Sequence, residues 1–285
     1  MKVKDLPSEE LLFGHFACAG CGGALAVRLA LKVLGREVAV VVPPSCLLGV
    51  ATFHPQMAFR VPCVNSVMPA TGAVTSGLAA GLKRRGQAGV KVVAIAGDGG
   101  TFDIGLQALS GAVERGHDFL FLCYDNEAYM NTGFQRSGAT PWGAATSTGP
   151  SGSRPLWEDR PKKDMLRIMA AHNIPYAATA SVAYPRDFME KVRRAAMVKG
   201  PSYIQVLSPC PTGWGYEPHL TVEMGRLAVE TGMWTLAEYY EGEFRVTHRP
   251  SRRKPVREYL TAQRRFAHLT EGETERLQAE ADCCR

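Results

Sequence analysis

Five short stretches carry residue types that can do chemistry. The first is Gly97-Asp98-Gly99-Gly100, set between the apolar run KVVAIA and a helix-forming segment. Glycines let a backbone come close to a phosphate, and the free amides and dipole that open a helix favour an anion. A carboxylate there repels a bare diphosphate, so the pairing needs a cation between them. Mg²⁺ meets that need, because it takes a carboxylate, a few other oxygens and substrate phosphates. Alone, the stretch reads more readily as a plain Asp-Gly turn. The second is Asp125-Asn126, which follows the apolar run DFLFLCY, with twenty-five residues between Gly99 and Asp125. One helix and one strand fill that distance and bring Asn126 beside Asp98 on the neighbouring strand. The Asn126 side-chain oxygen and the Ala128 carbonyl would complete a metal cup. The third is Cys18-Ala-Gly-Cys21, whose thiolates can grip one metal centre but need two more ligands. Cys46 in PPSCLLG and Cys210 in SPCPTGW are the fourth and fifth, both in turns after strands. Cys63, between Pro62 and Val64, ranks below them. Cys123, inside an apolar strand, reads as a small buried hydrophobe. Cys283 and Cys284 end the chain. By count, four thiolates suit zinc or a four-iron cluster equally.

The elements that must position these residues alternate along the chain. A helix over residues 24–34 closes at Gly35, a C-cap glycine. Val38–Val42 is a β-branched run, the mark of a strand buried on both faces. A helix over 70–85 ends in Lys83-Arg84-Arg85, cations placed for the macrodipole. A strand follows over 91–96, a helix over 103–115 and a strand over 118–124. Residues 126–161 form a Gly/Thr/Ser/Pro-rich segment, and so long a loop inside a domain is usually functional. Helices near 163–172 and over 185–199 then alternate with strands near 176–180 and over 202–207. This pattern predicts a mostly parallel, doubly wound α/β sheet. Ligands in such sheets bind beyond the carboxyl ends of the strands, where all four strand-end turns fall. The expected division is 1–216 for this domain and 217–285 for an extension with one helix, a hairpin around Glu241-Gly242 and a basic tail.

With 46% hydrophobic and 21% charged residues, the composition is that of a globular protein and excludes disorder, collagen and coiled coil. No apolar run approaches the roughly 18 residues that span a bilayer. The first residues, MKVKDLPSEELLFGHF, show no leader pattern, so a cytoplasmic location is expected. Cytosolic thiols stay reduced, which argues against disulfides among the eight cysteines. The net charge of +6 is concentrated, because residues 245–265 hold eight Lys/Arg and one acid. Such a tail can bind nucleic acid or an acidic partner, and no nucleic-acid module accompanies it.

Taken together, HFACAGCGGALAVRLALKVLG, GDGGTFDIGLQALSGAVERG, DNEAYMNTGFQRSGATPWGAATSTGP, PSYIQVLSPCPTGW and RKPVREYLTAQRRFAHL resemble the β subunit of the 2-oxoacid:ferredoxin oxidoreductases, the family of pyruvate synthase. The resemblance implies a thiamine-diphosphate-binding fold of the pyrophosphate type. It implies a 4Fe-4S cluster on Cys18, Cys21, Cys46 and Cys210, and Mg²⁺ on Asp98, the Asn126 side chain and the Ala128 carbonyl. Gly97, Asp98, Gly99, Gly100, Asp103, Ile104 and Ser45, with Asn126, Ala128 and Asn131, would surround thiamine diphosphate. Asn131 and Thr132 would face the thiazolium and the substrate as catalytic residues.

The implied reaction is the coenzyme A-dependent oxidative decarboxylation of a 2-oxoacid. The organic cofactor carries the carbon chemistry, and a neighbouring cluster takes the electrons singly towards ferredoxin. In this family the carboxylate that activates the aminopyrimidine comes from the α subunit, so the chain is expected to be half of an active site. Relay clusters are expected on γ and δ (or fused) subunits, and the tail is expected to contact a partner, with no chemistry of its own. Pyruvate is the leading substrate. The stretches VVPPSCLLGV and Pro62-Cys63-Val64-Asn65-Ser66 depart from the pyruvate enzymes, which leaves a branched-chain 2-oxoacid, an aryl glyoxylate or oxalate open. A non-redox thiamine enzyme leaves the cysteines unexplained. A zinc-stabilised nucleic-acid-binding protein leaves the spacing from Asp98 to Asn126 unexplained. Neither nucleic acid nor membrane is an expected partner.

Overall fold

The computed structural model describes residues 6–149 and 157–283; Cys284 and Pro150, the last residue of the long signature, lie outside them. Continuous β-branched and aromatic runs form the centre of the sheet. β1 (Val38–Val42) follows helix α1 (Gly22–Leu34) and leads into the short α2 (Cys46–Ala51) and β2 (Cys63–Asn65). Next come α3 (Thr71–Arg84), β3 (Lys91–Gly97), α4 (Asp98–Phe102), α5 (Leu106–Glu114) and β4 (Phe119–Asp125). After the long loop stand α6 (Met165–Ala171), β5 (Tyr176–Ser181), α7 (Pro185–Met197), β6 (Pro201–Leu207) and α8 (Pro211–Trp214). The sheet order is β2-β1-β3-β4-β6-β5, all parallel.

The period-two alternation of strand side chains divides the core between the two faces. Val93, Ile95, Leu120, Leu122, Ile204 and Val206 face one side, against α1 and α7. Val92, Ala94, Phe119, Phe121 and Tyr203 face the other, against α3, α5 and α6. Each fully buried Val, Ile, Leu or Phe contributes about 1.5–3 kcal/mol of transfer free energy, so register is fixed on both faces. Cys123 is fully buried among the second set, as the sequence predicts. Gly35 caps α1 at φ 74°, also as predicted.

Two local readings are corrected. The helix expected from residue 103 begins at Leu106, because Asp103 leaves helical geometry at φ −111°, ψ −99° and ends the short α4. Among the described residues, the extension holds three α-helices rather than one: α9 (Thr221–Glu230), α10 (Val256–Thr261) and α11 (Glu271–Cys283). Its hairpin is present as β7 (Leu236–Tyr240) and β8 (Glu243–His248), turning at Glu241-Gly242, and β7 pairs antiparallel with β5. A third core joins Met130 and Trp142 of the long loop to Trp214, Leu227, Tyr259 and Leu277. The extension therefore packs on the loop that follows β4.

Candidate active site

The four strand-end turns fall beside one another, because β1, β3, β4 and β6 are sheet neighbours. Asp98 is the first residue of α4 and is fully buried. One of its oxygens accepts the Asn126 backbone N–H at 3.3 Å, and the other accepts the Ser137 hydroxyl at 2.5 Å. Burial, with repulsion from Asp125, pushes its carboxyl well above the usual range, while Ser137 opposes the shift. The Asn126 side-chain oxygen faces two further acceptors, Asp98 Oδ1 and the Ala128 carbonyl, each 2.8 Å away. Turning the amide end for end would make both contacts N–H···O bonds. As they stand, the Asn126 oxygen lies from each of the other two at the spacing that octahedral Mg²⁺ imposes on neighbouring ligands. Bonds of 2.0–2.1 Å set neighbouring ligand oxygens about 2.9 Å apart.

A buried ionic network shapes the turn that carries two of those oxygens. Glu127, between Asn126 and Ala128, adopts the left-handed conformation at φ 68°. A non-glycine residue held there costs about 1–3 kcal/mol and persists only when its surroundings over-determine it. Its carboxylate meets Lys162 at 2.9 Å and Arg265 at 2.7 Å. Burial pushes this carboxyl up, but the two cations outweigh it and hold the group below its ordinary range. Lys162 also reaches Asp125 at 2.7 Å, and Gln205 donates to Asp125 at 2.6 Å. The Glu127 carbonyl accepts the Thr140 hydroxyl at 2.8 Å, and the Asn126 carbonyl accepts the Trp214 indole N–H at 2.8 Å.

Around the cup lies a cleft of about 100 Å³ lined by Ser45, Cys46, Gly97, Asp98, Gly99, Gly100, Asn126, Ala128, Asn131 and Thr132, with Met68 and Tyr129. Asp103 and Ile104 do not line it. The Asp103 carboxylate instead accepts the Tyr129 hydroxyl at 3.1 Å and the Gly138 N–H at 3.0 Å, and pairs with Lys163 at 3.0 Å. Ile104 points outward and is 55% exposed. Gly99 is required by close approach: a Cβ there would lie 2.2 Å from the Tyr129 ring.

A second cavity, of about 240 Å³, is bordered by Cys18, Cys21, Cys46 and Cys210. Cys21 caps α1 and Cys210 caps α8, each sulfur accepting a backbone N–H at 3.4 Å, while Cys46 opens α2. Burial, with repulsion from Cys210 and Cys21, pushes the Cys46 thiol up to about 12. Burial also pushes Cys210 up to about 11, with Cys21 and Cys18 adding to the effect. Gly22 lets α1 approach: a Cβ there would stand 2.7–2.8 Å from the Ser208–Pro209 backbone, beside Cys210. Cys63 stands on the edge strand β2 and does not border the cavity. Among the described residues, no three His, Cys, Asp or Glu side chains form a group that could hold a metal ion. The thiols ring a space rather than meet at a point. The two cavities share Cys46, Tyr124, Asn126, Met130 and Asn131. Tyr124 forms a buried wall between them, its hydroxyl accepting the Leu47 N–H at 3.3 Å.

Sequence reasoning missed Tyr124, Tyr129, Ser137, Glu127, Lys162 and Arg265. Only Glu127 carried a local signal, a charged residue between two candidate ligands. The tail was expected to carry no chemistry of its own. Arg265 of that tail is 5% exposed and bonded to the turn beside the cup.

A family model described as "Thiamine pyrophosphate enzyme, C-terminal TPP binding domain" matches residues 49–206. The chain is 57% identical over 278 residues to "Pyruvate synthase subunit PorB" of Methanothermobacter thermautotrophicus, covering 97% of this chain and 96% of that one. It is 48% identical over 285 residues to "Ketoisovalerate oxidoreductase subunit VorB" of Pyrococcus horikoshii, covering 97% and 92%. Among solved structures, a 2-oxoglutarate:ferredoxin oxidoreductase from Magnetococcus marinus shares the fold with a TM-score of 0.59, 22% identity and coverage of 79% and 80%. With such relatives matched over nearly their whole length, the chain belongs to the thiamine pyrophosphate enzymes, in the PorB/VorB subunit family of the 2-oxoacid:ferredoxin oxidoreductases.

Proposed function

We propose that this subunit holds Mg²⁺ and thiamine diphosphate in the Asp98 cleft and a 4Fe-4S cluster among Cys18, Cys21, Cys46 and Cys210. The carrying observation is the oxygen cup with its 2.8 Å spacings, one wall away from a cavity ringed by four thiols. When bound, thiamine diphosphate supplies decarboxylation of a 2-oxoacid and the cluster supplies one-electron acceptance. Asp98, the Asn126 side chain and the Ala128 carbonyl hold the cation, and the Gly97–Gly100 backbone meets the diphosphate. Ser45, Asn131 and Thr132 line the open side of the cleft, where Asn131 and Thr132 meet the substrate. Asp103 and Ile104 lie outside the cleft lining, and Asp103 braces the wall through Tyr129.

A cleft of about 100 Å³ is well under the roughly 300–1,000 Å³ of complete ligand pockets. That supports a partner α subunit closing over the cofactor and supplying the remaining groups. Coenzyme A and ferredoxin, with γ and δ or fused relay subunits, complete the assembly. No helix among the described residues is long and apolar enough to cross a membrane, and a cytoplasmic location fits the reaction. Pyruvate is the substrate favoured here, since of the two curated relatives named above the pyruvate synthase subunit is the more similar, at 57% against 48% identity. The similarity to a ketoisovalerate oxidoreductase subunit favours a branched-chain 2-oxoacid as the second reading.

Iron, acid-labile sulfide and thiamine diphosphate analysis of the anaerobically purified complex tests this, alongside coenzyme A-dependent turnover of pyruvate and 2-oxoisovalerate. Cys210→Ser should lower iron content while thiamine diphosphate remains. A colourless, zinc-loaded complex would sink the reading.

A further inference from the structure

The basic stretch near the C-terminus is not uniformly a solvated face. Its Arg245 is exposed, whereas Arg265 is one of the few buried cations of the chain. The Arg265 guanidinium donates to Glu127 at 2.7 Å and to the Tyr259 hydroxyl at 3.1 Å, and its Nε donates to Gln263 at 2.8 Å. Its central carbon, Cζ, lies over the Trp214 ring, 3.8 Å from the ring centroid. Through these partners it touches both functional turns. Glu127 sits between Asn126 and Ala128, and its backbone conformation, at φ 68°, sets how those two residues stand relative to each other. Trp214 donates to the Asn126 carbonyl and closes α8, its backbone N–H reaching the carbonyl of Cys210 at 2.9 Å. Asp125 and Glu127 are matched by Lys162 and Arg265, so the network carries no net charge beside Asp98.

We propose that Arg265 is a positioning residue that locks the Asn126–Ala128 turn and the Cys210–Trp214 turn into one unit, so that the cation cup and one cluster ligand are set by the same side chain. The inference rests on the reading given under Proposed function. Arg265 touches neither cofactor nor substrate and acts through Glu127 and Trp214. Its removal leaves the Glu127 carboxylate with Lys162 as its one remaining cation among the described residues. It also leaves one uncompensated negative charge next to Asp98 and uncovers the face of Trp214. Lysine restores the charge but cannot stack as a planar fork. Charge and geometry are thus separable.

The test uses the intact complex carrying Arg265→Met, Arg265→Lys or, as a control on the same tail, Arg245→Ala. Two quantities are read: Mg²⁺-dependent thiamine diphosphate affinity by fluorescence titration, and the electron paramagnetic resonance spectrum of the reduced cluster. Residues that orient ligands typically change metal affinity about 10–100-fold, so Arg265→Met should weaken cofactor binding by that range. It should also shift or broaden the cluster signal. Arg265→Lys should recover part of the affinity and keep the altered signal, and Arg245→Ala should match the parent in both. Parent-like affinity, within about twofold, together with an unchanged signal in Arg265→Met would overturn the proposal. If Arg265→Met does not assemble, Glu127→Gln keeps the shape and removes the charge. It should weaken binding about tenfold on the same grounds, and parent-like affinity there overturns the proposal equally. A parent complex without iron, or unable to bind thiamine diphosphate, defeats the functional reading itself and is distinguished by the parent titration alone.

Discussion

Substituting Gly99 by alanine tests how the cofactor wall is built. The new Cβ would lie 2.2, 2.4 and 2.5 Å from three Tyr129 ring carbons, where ordinary contact begins at 3.4 Å. The ring must therefore retreat by about 1.2 Å to regain van der Waals contact. It is not free to do so, because its hydroxyl is anchored at 2.9 Å from the Gly99 carbonyl and 3.1 Å from Asp103. Overpacking costs about 1–3 kcal/mol and a lost hydrogen bond about 0.5–1.5 kcal/mol, giving about 1.5–4.5 kcal/mol together. Tyr129 is only partly buried, so the lower half of that range is expected. Tyr129 follows Ala128 directly, so its displacement also moves a cup oxygen. Urea unfolding of the purified chain, followed by tryptophan fluorescence, reads the stability. Thiamine diphosphate titration of the complex reads the cup. Adding Tyr129→Ala to Gly99→Ala opens the space and should recover much of the steric loss, as a double-mutant cycle would show. A Gly99→Ala protein within about 0.5 kcal/mol of the parent, the range of ordinary surface changes, would refute the steric reasoning.

Asp98→Asn should abolish Mg²⁺-dependent cofactor binding yet stabilise the metal-free chain at pH 7. Burial raises the folded-state pKa of Asp98. The folded state therefore binds that proton more tightly, and the penalty grows as pH rises from the ordinary aspartate value to the folded one. The stability gap between variant and parent should close on acidification, and a gap that widens would contradict this. Gly22→Ala presses a Cβ to within 2.7–2.8 Å of backbone that cannot yield, moving α1 off the Cys210 turn. Iron content should fall while the Asp98 cup stays competent, as iron assay and thiamine diphosphate titration will show. In cluster-free protein, Cys46 and Cys210 keep their protons to about 12 and about 11. Stability linked to them is full below the ordinary thiol value of 9.0 and is lost as pH rises through that window. Melting of cluster-free protein should therefore fall above about pH 9, and a flat profile to pH 11 would speak against it.

The sheet and the positions of its functional turns were legible because both depend on local pattern. Continuous apolar strands mark a buried parallel sheet, and residues next to a strand end inherit that strand's neighbours. Asp98 and Asn126 could be brought together from one helix and one strand of separation, and the four cysteines from the turns that hold them. Edge strand β2 escaped notice because its three residues are too few to show a period. The family resemblance set Asp103 beside the cofactor. Its carboxylate is instead taken up by Tyr129, Gly138 and Lys163, partners that only the tertiary fold supplies. Arg265 was counted with the basic tail expected to contact a partner, and nothing local separates it from Arg264. Its partner Glu127 stands 138 residues away, a distance no sequence period spans.

On the proposed function, a divalent cation at Asp98 and a paramagnetic cluster among the four cysteines would share one wall at Tyr124. Replacing Mg²⁺ by Mn²⁺ in the intact complex, with thiamine diphosphate present, tests it through the relaxation of the reduced cluster's magnetic resonance signal. The account predicts a marked relaxation enhancement that needs thiamine diphosphate and disappears in Asp98→Asn. A cluster signal indifferent to Mn²⁺, or an enhancement that survives loss of the Asp98 carboxylate, would contradict it.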